Sequence, residues 1–224
     1  MKRLRICDFQ RRVHGFILIF AQFYYQKMNL QKTVFCIFII CLSIFKDSFA
    51  QNYETETGIF RDHHIADIFK KFPDQKLDFF EINKNYRIKA HYKLQKKNKV
   101  VSFATSDGSY KKYQVFAKIY FDLDGKKIEL TTYKIYPAPA MYRKLVFLPI
   151  KDMTAPEITY GGGRYLDLNS DDFKDGETTF DFNKLYNPLC VYSDNYSCPV
   201  PPKENNLDVR IEAGEKLPLN KKKH

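Results

Sequence analysis

The sequence lacks the short motifs that mark the common enzyme classes. It has no Gly-x-Ser-x-Gly elbow, no Walker loop, no His-Glu-x-x-His and no Gly-x-Gly-x-x-Gly opening a helix. Serine-hydrolase, P-loop, zinc-protease and dinucleotide-binding readings therefore have no sequence support. Long apolar runs are missing too: Thr33 to Phe45 is about 13 residues, where a bilayer span takes about 20. Strand patterns do not alternate with long helices, which excludes a doubly wound α/β fold. There is no tryptophan, and cysteine is scarce, with five in 224 residues. No internal repeat and no second domain boundary are found.

What is present first describes a leader. From Met28 the chain runs through a charged start and the apolar stretch to Ser48 and Ala50, small residues that form an exit before Gln51. These are the three regions of a secretory signal, cleaved after Ala50. Residues 1–27 lie upstream of the plausible start at Met28, so 1–50 reads as an upstream extension plus signal, and 51–224 as one β domain. The expected location is periplasmic or secreted, in a bacterium, with no stable transmembrane span after cleavage. An uncleaved anchor is the alternative.

Removing the leader changes the electrostatics. The whole chain carries +11, but residues 51–224 hold 29 Lys and Arg against 24 Asp and Glu, and Lys221, Lys222 and Lys223 sit at the extreme C-terminus. A nearly neutral body gives no footprint for nucleic acid. The Lys-rich stretch 93–99 reads as a solvated hairpin loop. Cys7, Cys36 and Cys41 leave with the leader, and the pair Cys190 and Cys198 remains. In an exported chain that reads as one disulfide, closing a short loop worth about 2.5 kcal/mol in the chain-entropy model. A metal site needs four ligands, and no histidine lies near them in sequence. No metal and no cofactor are implied.

The mature segment, rich in Phe and Tyr, leans toward strands. Gln51 to Gly58 reads as polar and loose. Ile65, Ile68, Phe69 and Phe72 then recur at helical spacing up to Pro73, which predicts one amphipathic helix over 59–72. His63 and His64 fall in it as surface or packing residues. Strands are expected at 77–82, 86–94, 100–104, 145–150, 159–168, 178–182 and 207–213. The clearest element is the hairpin around Asp124-Gly125, a type I′ signal. It pairs Phe121 with Ile128, Ile119 with Leu130 and Ala117 with Thr132 on one face, and Asp122 with Lys127, Tyr120 with Glu129 and Lys118 with Thr131 on the other. The whole is mainly β, an antiparallel barrel or sandwich of about eight short strands with one N-terminal helix.

Candidate chemistry lies between Pro149 and Glu215. Gly161-Gly162-Gly163 before Arg164 is either a kink in a curved sheet or a backbone nest beside Arg164 that holds an anion. Asp181 and Asn183 share one face of a strand end, with Tyr186 and Asn187 just beyond. They either line a ligand-facing edge or brace the loop. Asp152, Glu157, Glu204 and Glu215 add carboxylates. Three segments, 152–164, 181–187 and 204–215, are expected to meet around one cleft with Arg164 pointing into it.

Taken in order, these stretches form a recognisable set. They run Phe147-Leu-Pro-Ile-Lys-Asp152-Met-Thr154, Glu157-Ile-Thr159-Tyr160-Gly-Gly-Gly-Arg164-Tyr165-Leu-Asp167, Asp181-Phe-Asn183, Tyr186-Asn187-Pro188, Cys190, Cys198-Pro199-Val-Pro201-Pro202-Lys-Glu204-Asn205 and Ala213-Gly214-Glu215. The set resembles the bacterial and archaeal family known as domain of unknown function 1684, over roughly residues 59 to 217. Lys151 and Ala155-Pro156 depart from its pattern of Arg and Ser-Gly. The resemblance implies kinship and no particular reaction. It also implies that both cysteines occur in similar proteins without leaders, which keeps thiol or metal chemistry open beside the disulfide.

Two functions follow as expectations. One is an exported domain binding a small anionic or sugar-like ligand, or an envelope partner, through Tyr160, Arg164, Asp181, Asn183, Tyr186 and Asn187. The other is an envelope hydrolase with Glu157 or Asp181 as general base and Arg164 as electrostatic stabiliser.

Overall fold

A computed structural model describes residues 52–96 and 99–220; the expected leader, its boundary at Ala50 and the C-terminal lysines lie outside the described residues. Seven strands build one antiparallel sheet that curls into a half-barrel: β1 (Arg87–Leu94), β2 (Val100–Ala104), β3 (Tyr110–Leu123), β4 (Lys126–Ile135), β5 (Leu145–Ile150), β6 (Arg164–Asn169) and β7 (Glu177–Asp181). The order is β6-β5-β4-β3-β1-β7, with β2 also on β3. Both ends of that path, β6 and β7, are joined by a short connection through residues 170–176.

The β3–β4 hairpin has the register expected from sequence, from Ala117 opposite Thr132 to Asp122 opposite Lys127. Asp124 and Gly125 take φ of 50° and 76°, the left-handed pair a type I′ turn requires. A bulge between Val115 and Ala117 then turns β3 over. Beyond it Ala117, Ile119 and Phe121 join the main core with Leu130, Val146, Leu148 and Ile150. Before it Tyr113 and Val115 face the other way, into an aromatic cluster with Phe103, Tyr133, Phe147 and Tyr165. Each face of the sheet is thereby covered over part of its length, and large side chains buried there contribute roughly 1.5–3 kcal/mol apiece.

Three expectations are corrected. The helix α1 occupies 52–71, so it begins well before Ile59. Thr57, in the stretch read as loose, is fully buried. Residues 77–82 and 207–213 form no strand; the first makes only the bridge of Phe79 to Glu215. Leu207, Val209, Ile211 and Ala213 all point into the core, as the alternation implied. What they lack is a strand alongside. The amides of Leu207 and Met153 instead exchange single bonds with the carbonyls of Lys151 and Val209. Ile68 of α1 packs on Val191 and Tyr192. Among the described residues no helix is long and apolar enough to cross a membrane.

Candidate functional site

Two assemblies of polar residues stand out, one closed and one open. The closed one is built on Arg164, whose inward course starts at the glycines. Gly163 has φ of +89°, and a Cβ there would lie 2.5 Å from the Ile150 carbonyl oxygen and 2.6 Å from Pro201 Cγ. Only glycine fits. Its N–H donates to the carbonyl of Tyr160 at 2.9 Å, so the triplet is a tight turn against the sheet.

Arg164 is 1% exposed. Its Nη1 donates to the carbonyls of Ala213 and Glu215, and its Nη2 to Ile211 O at 2.9 Å and Asp152 Oδ2 at 2.8 Å. Burial pulls the guanidinium below its ordinary value, and Asp152 opposes that pull. Asp152 Oδ1 accepts from the amide and hydroxyl of Thr154 and from the Ile211 amide, at 2.9, 2.6 and 3.2 Å. Thr154 in turn meets the Thr159 hydroxyl at 2.7 Å. A fork of fixed donors holds carbonyls that no strand satisfies, which suits arginine better than lysine.

Glu215, also fully buried, is the second anchor. Its Oε1 accepts from the Tyr192 hydroxyl, and its Oε2 from the Asn187 amide at 2.8 Å, with His64 Nε2 at 3.1 Å. His64 comes from α1 and sits among the rings of Phe60, Phe79 and Tyr186. From sequence Glu215 is one of several candidate carboxylates and His64 a surface or packing residue, with no signal that the two pair. The signal was absent because the two are 151 positions apart.

Side-chain amides finish this network. Asn205 accepts from Thr131 N at 2.8 Å and donates to Thr131 O and Pro149 O at 2.8 and 2.7 Å, standing in for a missing strand. Asn183 does the same for Asn83, at 3.0 and 2.8 Å, and Asp181 Oδ1 accepts from its amide. The three expected segments thus meet, around a packed polar centre.

The open assembly lies along the seam where β6 and β7, the two edges of the sheet, fail to close the barrel. A cleft of about 750 Å³ is lined there by Leu166 to Asn169 of β6 and Glu177 to Asp181 of β7. Arg87 and Lys89 of β1, Lys174, Lys184, Asp171, Asp172 and Glu56 complete its rim. Lys89 pairs with Glu177 at 2.6 Å and Lys184 with Glu56 at 3.1 Å. β6 gives its edge to Tyr186 only at Tyr165, where the two residues exchange backbone bonds of 2.9 and 3.0 Å. Asp167, the next residue on that edge, is exposed to solvent but crowded by the cleft walls. The crowding raises its carboxyl above the ordinary value, and a hydrogen bond from Tyr186 partly offsets it.

Of the residues expected at a site, Asp181 lines the cleft and Tyr186 reaches it through Asp167. Arg164, Asn183 and Asn187 belong to the closed centre, and Glu157 is exposed on the 152–159 turn. Tyr160 lies beside the cysteines, its hydroxyl 3.8 Å from Cys190 Sγ, and burial pushes it up to about 12. Cys190 and Cys198 are buried thiols, with the Cys190 amide 3.2 Å from Cys198 Sγ. The hydrogen bond from Cys198 holds Cys190 down at about 6, and the same bond raises Cys198. Among the described residues no group of three or more His, Cys, Asp or Glu is placed to hold a metal ion.

The chain is similar to the solution NMR structure of an uncharacterised protein of Haloarcula marismortui, with a TM-score of 0.60 and 32% identity, over 76% of this chain and 97% of that one. No curated protein matches. The family model for a protein of unknown function, DUF1684, matches residues 71–216, which include all of the sheet, the polar centre except His64, and the cleft except Glu56. The chain belongs to the DUF1684 family.

Proposed function

We propose that this protein is an exported β domain that binds a small, neutral, sugar-like ligand in the cleft between β6 and β7. The observation that carries this reading is the lining. The volume lies within the roughly 300–1,000 Å³ of small-molecule sites. Its walls mix donors and acceptors: Arg87, Lys89, Lys174 and Lys184 face Asp167, Asp171, Asp172, Glu177, Asp181 and Glu56. Carboxylates outnumber cations, and Lys89 and Lys184 are among the cations already paired, so an anion would meet net repulsion. Vicinal hydroxyls, which donate and accept, match such a wall. Phe180, Leu166 and Leu168 supply apolar contact below it.

Arg164 has a supporting part in this reading, because its Nη1 and Nη2 donors are taken up inside the fold. A second reading has one specific support. Asp167, whose carboxyl is raised by burial against the cleft walls and sits beside the Tyr186 hydroxyl, holds its proton to higher pH than an ordinary aspartate, as a general acid must. An acid–base reaction on the bound ligand would then run from Asp167, in place of Glu157 or Asp181.

Export and a bond between Cys190 and Cys198 complete the proposal. The test of binding is a titration with neutral sugars and with anionic sugars, read at backbone amides. The reading expects neutral sugars to move residues 167–169 and 177–181. Anionic sugars alone moving them would overturn it. For export, N-terminal sequencing of protein from the native host should begin at Gln51, and retained residues 28–50 would contradict the signal.

A further inference from the structure

Residues 136–144, the connection between β4 and β5, are exposed without exception. The stretch Tyr136-Pro-Ala-Pro-Ala-Met-Tyr142 has no charged side chain, and its only polar groups beyond the backbone are two tyrosine hydroxyls. Met141 is 80% exposed, Tyr136 45% and Tyr142 43%. The start of β3 lies alongside. The Tyr136 amide donates to Lys112 O at 3.1 Å, and Tyr113 stands opposite Ile135. That places Tyr110, 71% exposed, at the same end of the sheet.

This apolar tip is flanked by cations: Lys111 and Lys112 on β3, and Arg143 and Lys144 closing the loop. The acids nearby are occupied. Asp171 pairs with Lys144 at 2.6 Å, and Asp107 accepts from the hydroxyls of Thr105, Ser109 and Ser197. Lys111 donates to Ser197 O at 2.5 Å. Lys112 and Arg143 form no ion pair among the described residues. Lys134 braces the loop by donating to Arg143 O at 3.0 Å.

We infer that this end of the sheet docks on a lipid surface carrying anionic headgroups. Met141 and the tyrosine rings enter the interface, where an aromatic ring with a polar tip is at home. Lys111, Lys112 and Arg143 meet the headgroups, each worth about a fivefold gain in partition near an anionic surface. Apolar side chains standing out from an exposed loop inside a ring of positive charge complement a bilayer better than a protein groove. The inference uses no residue of the cleft lining except Asp171, which neutralises Lys144, and does not depend on what the cleft binds.

The test is hydrogen exchange on the full chain with vesicles of phosphatidylcholine and of phosphatidylcholine mixed with phosphatidylglycerol. Because residues upstream of the helix carry an apolar stretch of their own, total binding is insufficient and the readout is protection of amides in 138–145. Protection is expected with phosphatidylglycerol vesicles and not with phosphatidylcholine alone. Met141→Asp with Tyr142→Ser should abolish it, and Lys112→Glu with Arg143→Glu should weaken partition at least about 25-fold, counting two lost charges. All four positions are exposed, so the melting temperature should hold. Loop amides unprotected by phosphatidylglycerol vesicles, equal protection by both lipids, or variants that bind like the parent would each overturn the inference. So would protection that requires a membrane protein.

Discussion

The polar centre and the seam cleft treat charge in opposite ways. At the centre, Arg164, Asp152 and Glu215 are withdrawn from water, and nearly every donor and acceptor is matched within the fold. At the seam, Arg87 and Lys89 stay wet on a strand, and the ion pairs that form are of the exposed kind worth about 0–1 kcal/mol. Fixed, desolvated charge holds structure, whereas wet charge around a concavity is free to exchange water for a ligand. The segment 203–215 shows why the centre exists. It has core side chains but only isolated bridges in place of a strand neighbour, so backbone groups of Ile211 are met by Arg164 and Asp152, while Asn205 reaches out of it to Thr131 and Pro149.

The comparison breaks first at Arg164. Arg164→Met should cost about 3–5 kcal/mol, because it leaves Asp152 buried and unpaired. Denaturant unfolding checks this, and an unchanged midpoint would move Arg164 into the functional category. Asn205→Ala comes next, at about 1–3 kcal/mol, since Thr131 and Pro149 keep buried groups with no partner. His64→Ala removes only one of the three donors on Glu215. It should cost about 1–2 kcal/mol, with faster hydrogen exchange confined to α1.

At the seam the effects are small on stability and large on binding. Arg87→Ala and Lys184→Ala should stay within about 0.5 kcal/mol of the parent, while sugar-induced amide shifts weaken. Asp167→Asn sharpens the contrast through pH. The folded carboxyl is raised, so the native state binds more protons than the unfolded one between the unfolded value near 3.8 and the folded one, and stability falls as pH rises through that window. Asparagine mimics the protonated form. The variant should therefore match the parent below the window and exceed it slightly above, as melting curves across acid pH would show.

Much of the fold was legible. The Asp124-Gly125 hairpin was readable to the residue pair because turn chemistry and alternation agree there. Leu207 to Ala213 was readable as to which side chains are buried but not as to pairing, because alternation reports burial and cannot report a neighbouring strand. The early start of α1 was hidden because 52–58 is polar. Arg164 drew notice for its glycines, which mark its inward turn against Ile150 and Pro201. The cleft was nearly silent. Lys89 and Glu177 look like any solvated strand face, and only the curl of the sheet brings β6 and β7 to one gap.

The most direct test of the division between centre and seam is a residue-resolved titration of the Arg87→Ala protein and its parent with neutral sugars. The account predicts that amides of 167–169 and 177–181 shift in the parent and shift less in the variant, while those of 152–164 and 211–215 stay still in both. Shifts centred on Arg164, Asn187 and Glu215, with the seam unmoved, would contradict it.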